Sequence, residues 1–514
     1  MFKNKRPTRQ IALGMSVLNT LLFHLPFFDF ANQNNTSSIL NRLVLLLSLF
    51  VVMLSANFLA FYLLLSLSRR LGKVVLSLFF ILNSISVYFI QTYHVLVDES
   101  MIANVLNTNF EESSSFFSFK LVLYILFLGI APSVLLFRLK IEKEAIKTVL
   151  LHSGLALGIL LVLVLLNAKN ILWIDHNSKQ LGGLAMPWSY TVNTSLFYVH
   201  QAQKNKKEIL LPDAQVKNEP NSAPNKNEKA IVVLVIGESA RQQNFSLYGY
   251  TKNTNPLLSQ TENVFAFKAN SSATYTTAGV KSILEYKDTD ELYEILPNYL
   301  ARNQVDVIWK TTNWGEPPVH IANYQSKEAL REKCIGDACA YDEILLTGLR
   351  DDILASTKDR IFIVLHTSTS HGPTYNTKYP PQFEVFTPVC TSVELANCSQ
   401  EELHNAYDNT LVYTDYLLHR VIEELKAFPT YKRSMLFVSD HGESLGENKI
   451  YMHGLPLRLA PKEQYEIPFI VWVGDGNQKL KPIPLLSQHH VFHSVLHFLN
   501  LDSPIYDEKM NIFQ

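Results

Sequence analysis

The sequence predicts a chain in two parts: five membrane-spanning helices, then an α/β domain built on a mostly parallel sheet. Three observations predict it. Apolar stretches long enough to cross a bilayer crowd the first third of the 514 residues. Beyond residue 200, short β-branched runs alternate with amphipathic segments. Charged residues make up only 18% of the chain, below the roughly 25% of an ordinary soluble domain, and residues 10–170 account for the deficit.

A spanning helix needs about 20 apolar residues. Five stretches qualify: 11–28, 43–66, 74–92, 119–137 and 148–168. The first follows a basic tail (Lys3, Lys5, Arg6, Arg9), and no small-residue cleavage site comes after it. It therefore reads as a retained helix and not as a signal peptide. The connections at Arg69, Arg70 and Lys73, and at Arg138, Lys140, Lys143 and Lys147, are basic. The first connection, 29–41, has no Lys or Arg; the third, 93–118, carries Asp98, Glu99, Glu111 and Glu112. That bias puts the N-terminus in the cytoplasm and the C-terminal domain outside. Buried core helices of a soluble protein are the alternative, but five such stretches in a row exceed what one core would hide. Trp173, Trp188, Tyr190, Phe197 and Tyr198 mark an interfacial segment. Residues 203–228, rich in Lys, Asn, Pro and Glu, read as an exposed linker or a solvated loop. The expected domains are 1–168, 169–228 and 229–514.

In the polar half the runs 230-AIVVLVIG, 305-VDVIWKT, 360-RIFIVLHTS, 434-SMLFVSD and 468-PFIVWVG are near-continuously apolar. Strands buried on both faces look like this. Function in parallel α/β sheets collects at the carboxyl ends of strands, and Glu238, His371, Asp440 and His441 fall there. Four cysteines form two close pairs, Cys334 with Cys339 and Cys390 with Cys398. In an exported domain they read as two disulfides. Four buried thiols are the alternative, and structural zinc a weaker one, because the pairs lack its spacing. A net charge of −1 gives no field that would draw nucleic acid.

Glu238, Asp440 and His441 are the side-chain types that hold Zn²⁺, which in catalytic sites keeps one position open. The segment 269-ANSSATYTTAGVKS supplies hydroxyls ahead of a predicted helix, whose N-terminus favours phosphate. A hydroxyl on zinc loses its proton more easily and becomes a nucleophile. Each residue alone has a plainer explanation, as a helix-start acid or a turn histidine. The joint pattern is what points to chemistry.

The stretches 235-VIGESARQQNFSLYGY, 365-LHTSTSHGPTY and 439-SDHGESLGENKIYMHGLP closely resemble the bacterial phosphoethanolamine transferases. That family modifies lipopolysaccharide and includes the mobile colistin-resistance enzymes. The resemblance covers essentially the whole chain. It implies a sulfatase-like α/β/α domain of the alkaline-phosphatase superfamily behind a five-helix membrane domain. It makes Glu238, Thr276, Asp440 and His441 zinc ligands, with Thr276 as covalent nucleophile. The family's two threonines match Thr274 and Thr276, with Thr277 an extra neighbour. His371 and His453 match family histidines near the phosphoryl group, which in some members bind a second zinc. The segment 101-MIANVLNTNFEES resembles the family's lipid head-group segment, which makes Asn104, Thr108 and Glu112 candidates to hold ethanolamine; a solvated polar loop is the equal alternative. The implied donor is phosphatidylethanolamine, the acceptor lipopolysaccharide, and the location the inner membrane with a periplasmic catalytic domain.

Two departures stand out. Ser272 and Ser282 occupy positions where the family has a disulfide flanking the nucleophile helix. The stretch 311-TTNWGEPPV replaces the family's Gly-Cys-Lys-Gly, so a core-sugar acceptor stands beside lipid A. Rival readings are a phosphoglycerol transferase on the same plan and a non-enzymatic membrane binding protein. A true sulfatase is disfavoured, because the segment around Thr276 has neither the proline nor the arginine of a formylglycine motif.

Overall fold

Runs of Val, Ile and Leu at 231–236 and 361–365 have no polar face to show to water, so they become central strands. In the computed structural model they do: Ala230–Gly237 (β1) and Arg360–His366 (β5) pair in parallel at the middle of an eight-stranded sheet. The structure describes residues 5–35, 39–108, 110–166, 173–174, 177–204, 208–216, 229–475 and 478–514. They form two units, Met1–Leu106 with Phe116–Gln201, and Asn107–Ser115 with Ala202–Gln514.

The other strands of the second unit's main sheet are Val264–Asn270 (β2), Asp306–Thr311 (β3), Asn323–Gln325 (β4), Lys432–Ser439 (β6), Glu466–Val473 (β7) and Leu486–Ser487 (β8). Their order is β8-β2-β7-β6-β1-β5-β3-β4. The strands from β6 to β4 run parallel, and β7 is antiparallel to both β6 and β2. All five expected runs are strands, but 468–473 runs against the rest. Strand β2, which the sequence reading missed, exposes Phe265 at 40% and lacks the continuous apolar run of the central strands.

Val232, Leu234 and Ile236 of β1 join a core with Val280 and Ile283 of helix Thr276–Leu284 (α8) and Val491 and Val495 of His490–Phe498 (α10). The long helix Gln400–Lys426 (α9) packs against β6. It starts with a full capping box, Ser399 with Glu402. Both cysteine pairs are disulfides. Residues 208–216 correct the linker expectation. Ile209 N–H donates to the Leu292 carbonyl at 2.8 Å, Leu211 is buried in the core, and Gln215–Val216 pairs with Leu501–Asp502. Leu211, the one buried residue of the apolar triplet 209–211, gives this stretch a reason to dock that the surrounding Lys and Asn conceal. The rest of the expected linker, 217–228, and residues 205–207 lie outside the described residues.

Among the described residues of the first unit four helices are long and apolar enough to cross a membrane: Ile39–Leu67 (α3), Arg69–Tyr93 (α4), Phe119–Arg138 (α5) and one beginning at Ile146 (α6). The first expected span is not one straight helix. Thr8–Phe23 (α1) and Leu25–Asn34 (α2) meet at His24 with a 58° bend, giving five spans only if the pair is one. Pro26 explains the break, since it lacks an N–H and its ring collides with the carbonyl four residues back. The aromatic segment is the helix Trp188–Lys204 (α7). It docks through polar contacts: Trp188 Nε1 donates to Asn57 Oδ1 at 3.0 Å and the Tyr190 hydroxyl to Asn83 Oδ1 at 2.9 Å. Asn83 in turn donates to Asn19 Oδ1 at 2.7 Å. The Trp188 and Tyr190 rings pack on the helix bundle.

Candidate active site

Parallel strands β1 and β6 are neighbours, so the residues that follow them must meet. Glu238 follows β1, and Asp440 and His441 follow β6. Their ligand-type atoms lie within 4.8 Å of one another, all buried. His441 Nε2 is 3.4 Å from Glu238 Oε1 and 3.3 Å from Asp440 Oδ2. The other ring nitrogen, Nδ1, lies 2.8 Å from the Gly442 carbonyl, to which it must donate. Nε2 is thereby left with its lone pair toward the carboxylates.

Backbone geometry fixes the carboxylates. Asp440 Oδ1 accepts from the N–H of Ser239 at 3.0 Å and of His441 at 2.7 Å. Ser239 takes a left-handed φ of 52° immediately after Glu238, and its hydroxyl donates to Glu238 Oε1 at 2.7 Å. Arg241 ties the first motif to the third through Glu447 Oε1 at 2.6 Å and the Glu443 carbonyl at 3.2 Å.

Thr276 opens α8, and its hydroxyl is 3.4 Å from Glu238 Oε2 and 3.3 Å from His441 Nε2. Thr274 points elsewhere, donating to the Leu455 carbonyl at 2.5 Å. No side chain caps the N-terminus of α8 and no acid sits in its first turn. The first-turn N–H groups of such a helix suit phosphoryl oxygens. The helix is held by packing where the family has a disulfide. A Cβ on Gly279 would meet the Asp440 carbonyl carbon at 2.7 Å, so only glycine permits this approach.

The histidines stand beside this group. The His453 ring centroid is 4.2 Å from that of His441 and 5.6 Å from that of His371. His453 Nδ1 donates to the buried Glu443 Oε2 at 3.1 Å. The sequence reading missed Glu443, although it lies inside the 439-SDHGES motif. It also missed Asn313, whose Nδ2 donates to Glu238 Oε2 at 2.7 Å and to the Thr367 carbonyl at 2.8 Å. An amide two residues after β3, at the same sheet edge as the other site residues, was the available signal. Asn104 lies in the helix Glu99–Asn107 of the first unit, while Thr108 and Glu112 fall in Asn107–Ser115 of the second; the Glu112 side chain is outside the described residues.

The electrostatics call for a cation. Burial, and then the neighbouring Glu238 carboxylate, push the Asp440 carboxyl well above its ordinary range. Burial acts upward on Glu238 too, but His441, His371, His453 and the Ser239 hydroxyl together hold it below the usual carboxylate range. Burial, with His453 beside it, pushes His441 down to about 3. Asp440 Oδ2 accepts no hydrogen bond among the described residues. Two buried carboxylates, a neutral imidazole and a hydroxyl form a donor set that a divalent metal satisfies.

Two buried carboxylates, an imidazole and a hydroxyl at the carboxyl edge of this sheet, on a chain with membrane-length helices, make the candidate active site. The Sulfatase family model matches residues 230–501, and that of "Phosphoethanolamine transferase EptA/EptB" matches 53–202. EptA of Helicobacter pylori is 38% identical over 96% of this chain and 94% of its own length. Mcr-1 of Escherichia coli is 31% identical over 90% and 89%. The solved integral membrane lipooligosaccharide phosphoethanolamine transferase A from Neisseria meningitidis superposes with a TM-score of 0.88 at 25% identity, covering 99% of each chain. The chain belongs to the phosphoethanolamine transferase family.

Proposed function

We propose that the enzyme moves phosphoethanolamine from phosphatidylethanolamine to lipopolysaccharide through a phosphoethanolamine–Thr276 intermediate. The observation that carries this reading is the Thr276 hydroxyl, within 3.4 Å of both His441 Nε2 and Glu238 Oε2 at an uncapped helix N-terminus. Glu238, Thr276, Asp440 and His441 would hold Zn²⁺, which when bound would lower the hydroxyl pKa and stabilise charge at the phosphoryl oxygens.

In the first step Thr276 Oγ1 forms a bond to phosphorus and the bond from phosphorus to the glycerol oxygen breaks. Diacylglycerol leaves with a proton delivered by His371 or His453. The first-turn N–H groups of α8 orient the phosphoryl oxygens. In the second step an acceptor oxygen gives its proton to the same histidine and displaces Thr276. Glu443 holds the His453 ring for both transfers, and Asn313 keeps Glu238 turned toward Thr276.

The acceptor lies among lipopolysaccharide groups. Relatives named for Kdo(2)-lipid A, such as the transferase of Escherichia coli K12 at 25% identity, support that class. The catalytic unit works in the periplasm, beside an inner membrane crossed by the first unit; the basic connections and both disulfides support this placement. Asn104, Thr108 and Glu112 remain our candidates for the ethanolamine group. We divide the chain into a membrane part, 1–168, an interfacial part and a catalytic part extended back to residue 208 by its docked strap.

Incubation of the purified chain with headgroup-labelled phosphatidylethanolamine, followed by digestion, tests the reading. Label on the peptide containing Thr276 is expected, and a Thr276→Ala variant that keeps the label refutes the assignment.

A further inference from the structure

We infer that the first unit carries a second site, which binds the phosphate of an anionic phospholipid headgroup in a basic cavity at the ends of its helices. The cavity, of about 780 Å³, forms where the N-terminal tail meets the two basic connections. Lys5 comes from the tail, Arg69, Arg70 and Lys73 from the start of α4, and Lys140 and Lys143 from the connection between α5 and α6.

The walls are built by specific contacts. Arg6–Pro7 pairs in parallel with Ile141–Glu142, and the Arg6 N–H donates to the Lys140 carbonyl at 2.9 Å. The Thr8 hydroxyl donates to the Glu142 carbonyl at 2.8 Å. Lys73 Nζ caps the end of α5 through the Leu139 carbonyl at 2.6 Å and the Phe137 carbonyl at 3.2 Å. Arg69 reaches the Ile141 carbonyl at 3.4 Å.

These partners are neutral, so the positive charges remain. The one carboxylate among the described lining residues, Glu144, is already matched. Its Oε2 accepts from the Arg9 N–H at 3.0 Å, and its Oε1 lies 3.5 Å from the Arg9 guanidinium. Among the described residues Lys5, Arg70, Lys140 and Lys143 have no carboxylate partner. Six cations around one cavity repel each other until an anion enters, and phosphate takes several charge-assisted hydrogen bonds at once.

Inside-positive bias explains how many cations lie on this face. It does not explain their convergence, because Arg138 and Lys147 belong to the same connection yet do not line the cavity. A lipid, in preference to free phosphate, suits the rim. Leu67, Leu71 and Phe137 are 85%, 63% and 52% exposed on the helix ends next to the cations, where acyl chains would lie once these helices span a bilayer. Basic pockets between spans on the cytoplasmic side are known to take such headgroups. The inference rests on the helices spanning a membrane and not on the transfer chemistry.

Native mass spectrometry of the full chain in detergent tests it, with phosphatidylglycerol, phosphatidylethanolamine or inorganic phosphate added. Retention of phosphatidylglycerol over phosphatidylethanolamine is expected. The double variant Arg70→Gln with Lys140→Gln should weaken it about 30-fold, for two charges at about 1 kcal/mol each. Removing the same charge outside the cavity, Arg138→Gln with Lys147→Gln, should leave it unchanged. The pair Arg70→Lys with Lys140→Arg should retain it and report that the fold tolerates change there. Equal loss in both charge-removing variants, absence of preference for the anionic lipid, or displacement of the lipid by inorganic phosphate at the lipid's own concentration would overturn the inference.

Discussion

Replacing Gly279 with alanine is predicted to damage both stability and catalysis, although helix propensity argues the opposite. Gly279 sits inside α8, where alanine ordinarily gains about 0.8–1 kcal/mol over glycine. Here the added Cβ would lie 2.7 Å from the Asp440 carbonyl carbon, and closer still to its oxygen. Ordinary contact begins at 3.4 Å, so α8 and the Asp440 loop must part by about 0.7 Å or more. The carbonyl cannot simply swing away, because Gln488 Nε2 donates to it at 2.7 Å and to Ser439 O at 3.0 Å. Overpacking of this kind costs about 1–3 kcal/mol, enough to outweigh the propensity gain. The same shift carries Thr276, one turn earlier, away from Glu238 and His441. A misplacement of about 1 Å costs on the order of 100-fold in rate. Thermal melting and headgroup transfer from labelled phosphatidylethanolamine measure the two effects. A Gly279→Ala protein that melts at or above the parent temperature with full activity would refute the reasoning.

Three further outcomes are expected. Asn313→Ala removes the 2.7 Å hydrogen bond to Glu238 Oε2 and should lower kcat about 10- to 100-fold while reducing bound metal, read by elemental analysis. Glu443→Gln keeps the shape but loses the carboxylate that accepts from His453 Nδ1. It should lower kcat by about tenfold or more and change the shape of its pH profile, whereas a purely structural role would move stability alone. The third concerns α10, where burial pushes His490 down to about 4, against an ordinary value of 6.5, and also depresses His493. Both must stay neutral as acceptors: the Ser487 N–H donates to His490 Nδ1 at 3.0 Å and the Asp507 N–H to His493 Nδ1 at 3.1 Å. The unfolded chain then binds more protons below pH 6.5. Their stabilisation is full above that pH and falls as the pH drops from 6.5 toward 4, by up to about 3 kcal/mol for His490. Denaturant unfolding at pH 7 and pH 5 checks this, and in His490→Gln part of the loss between those pH values should disappear.

Much of the site was legible because its residues end strands. A run such as 231–236 declares a buried strand by composition, and a carboxylate directly after it, Glu238, declares the functional edge. Glu443 lay inside a recognised motif, but its role is visible only from His453, ten residues on. Asn313 has no periodic pattern to flag it, since an amide after a strand is ordinary until its partner is known. The bend at His24 was readable from Pro26 in an apolar run. The docking of 208–216 was hidden because it rests on one buried apolar side chain, Leu211, and on backbone pairing, inside a polar stretch.

By itself the sequence determined the two halves, the membrane-length helices, the central strands and the polar residues that cap them, because hydropathy and β-branching act within a few neighbouring residues. The sequence offered Thr276 only through a resemblance, and tertiary structure showed its hydroxyl, with that of Thr274 turned to the Leu455 carbonyl, meeting Glu238 across 38 residues and His441 across 165. It also decided that β7 runs backwards and that Gly279 lets the nucleophile helix close on Asp440. These depend on strand order, on the rotation of one helix about its axis and on backbone approaches below 4 Å, none of which leaves a local pattern in the chain.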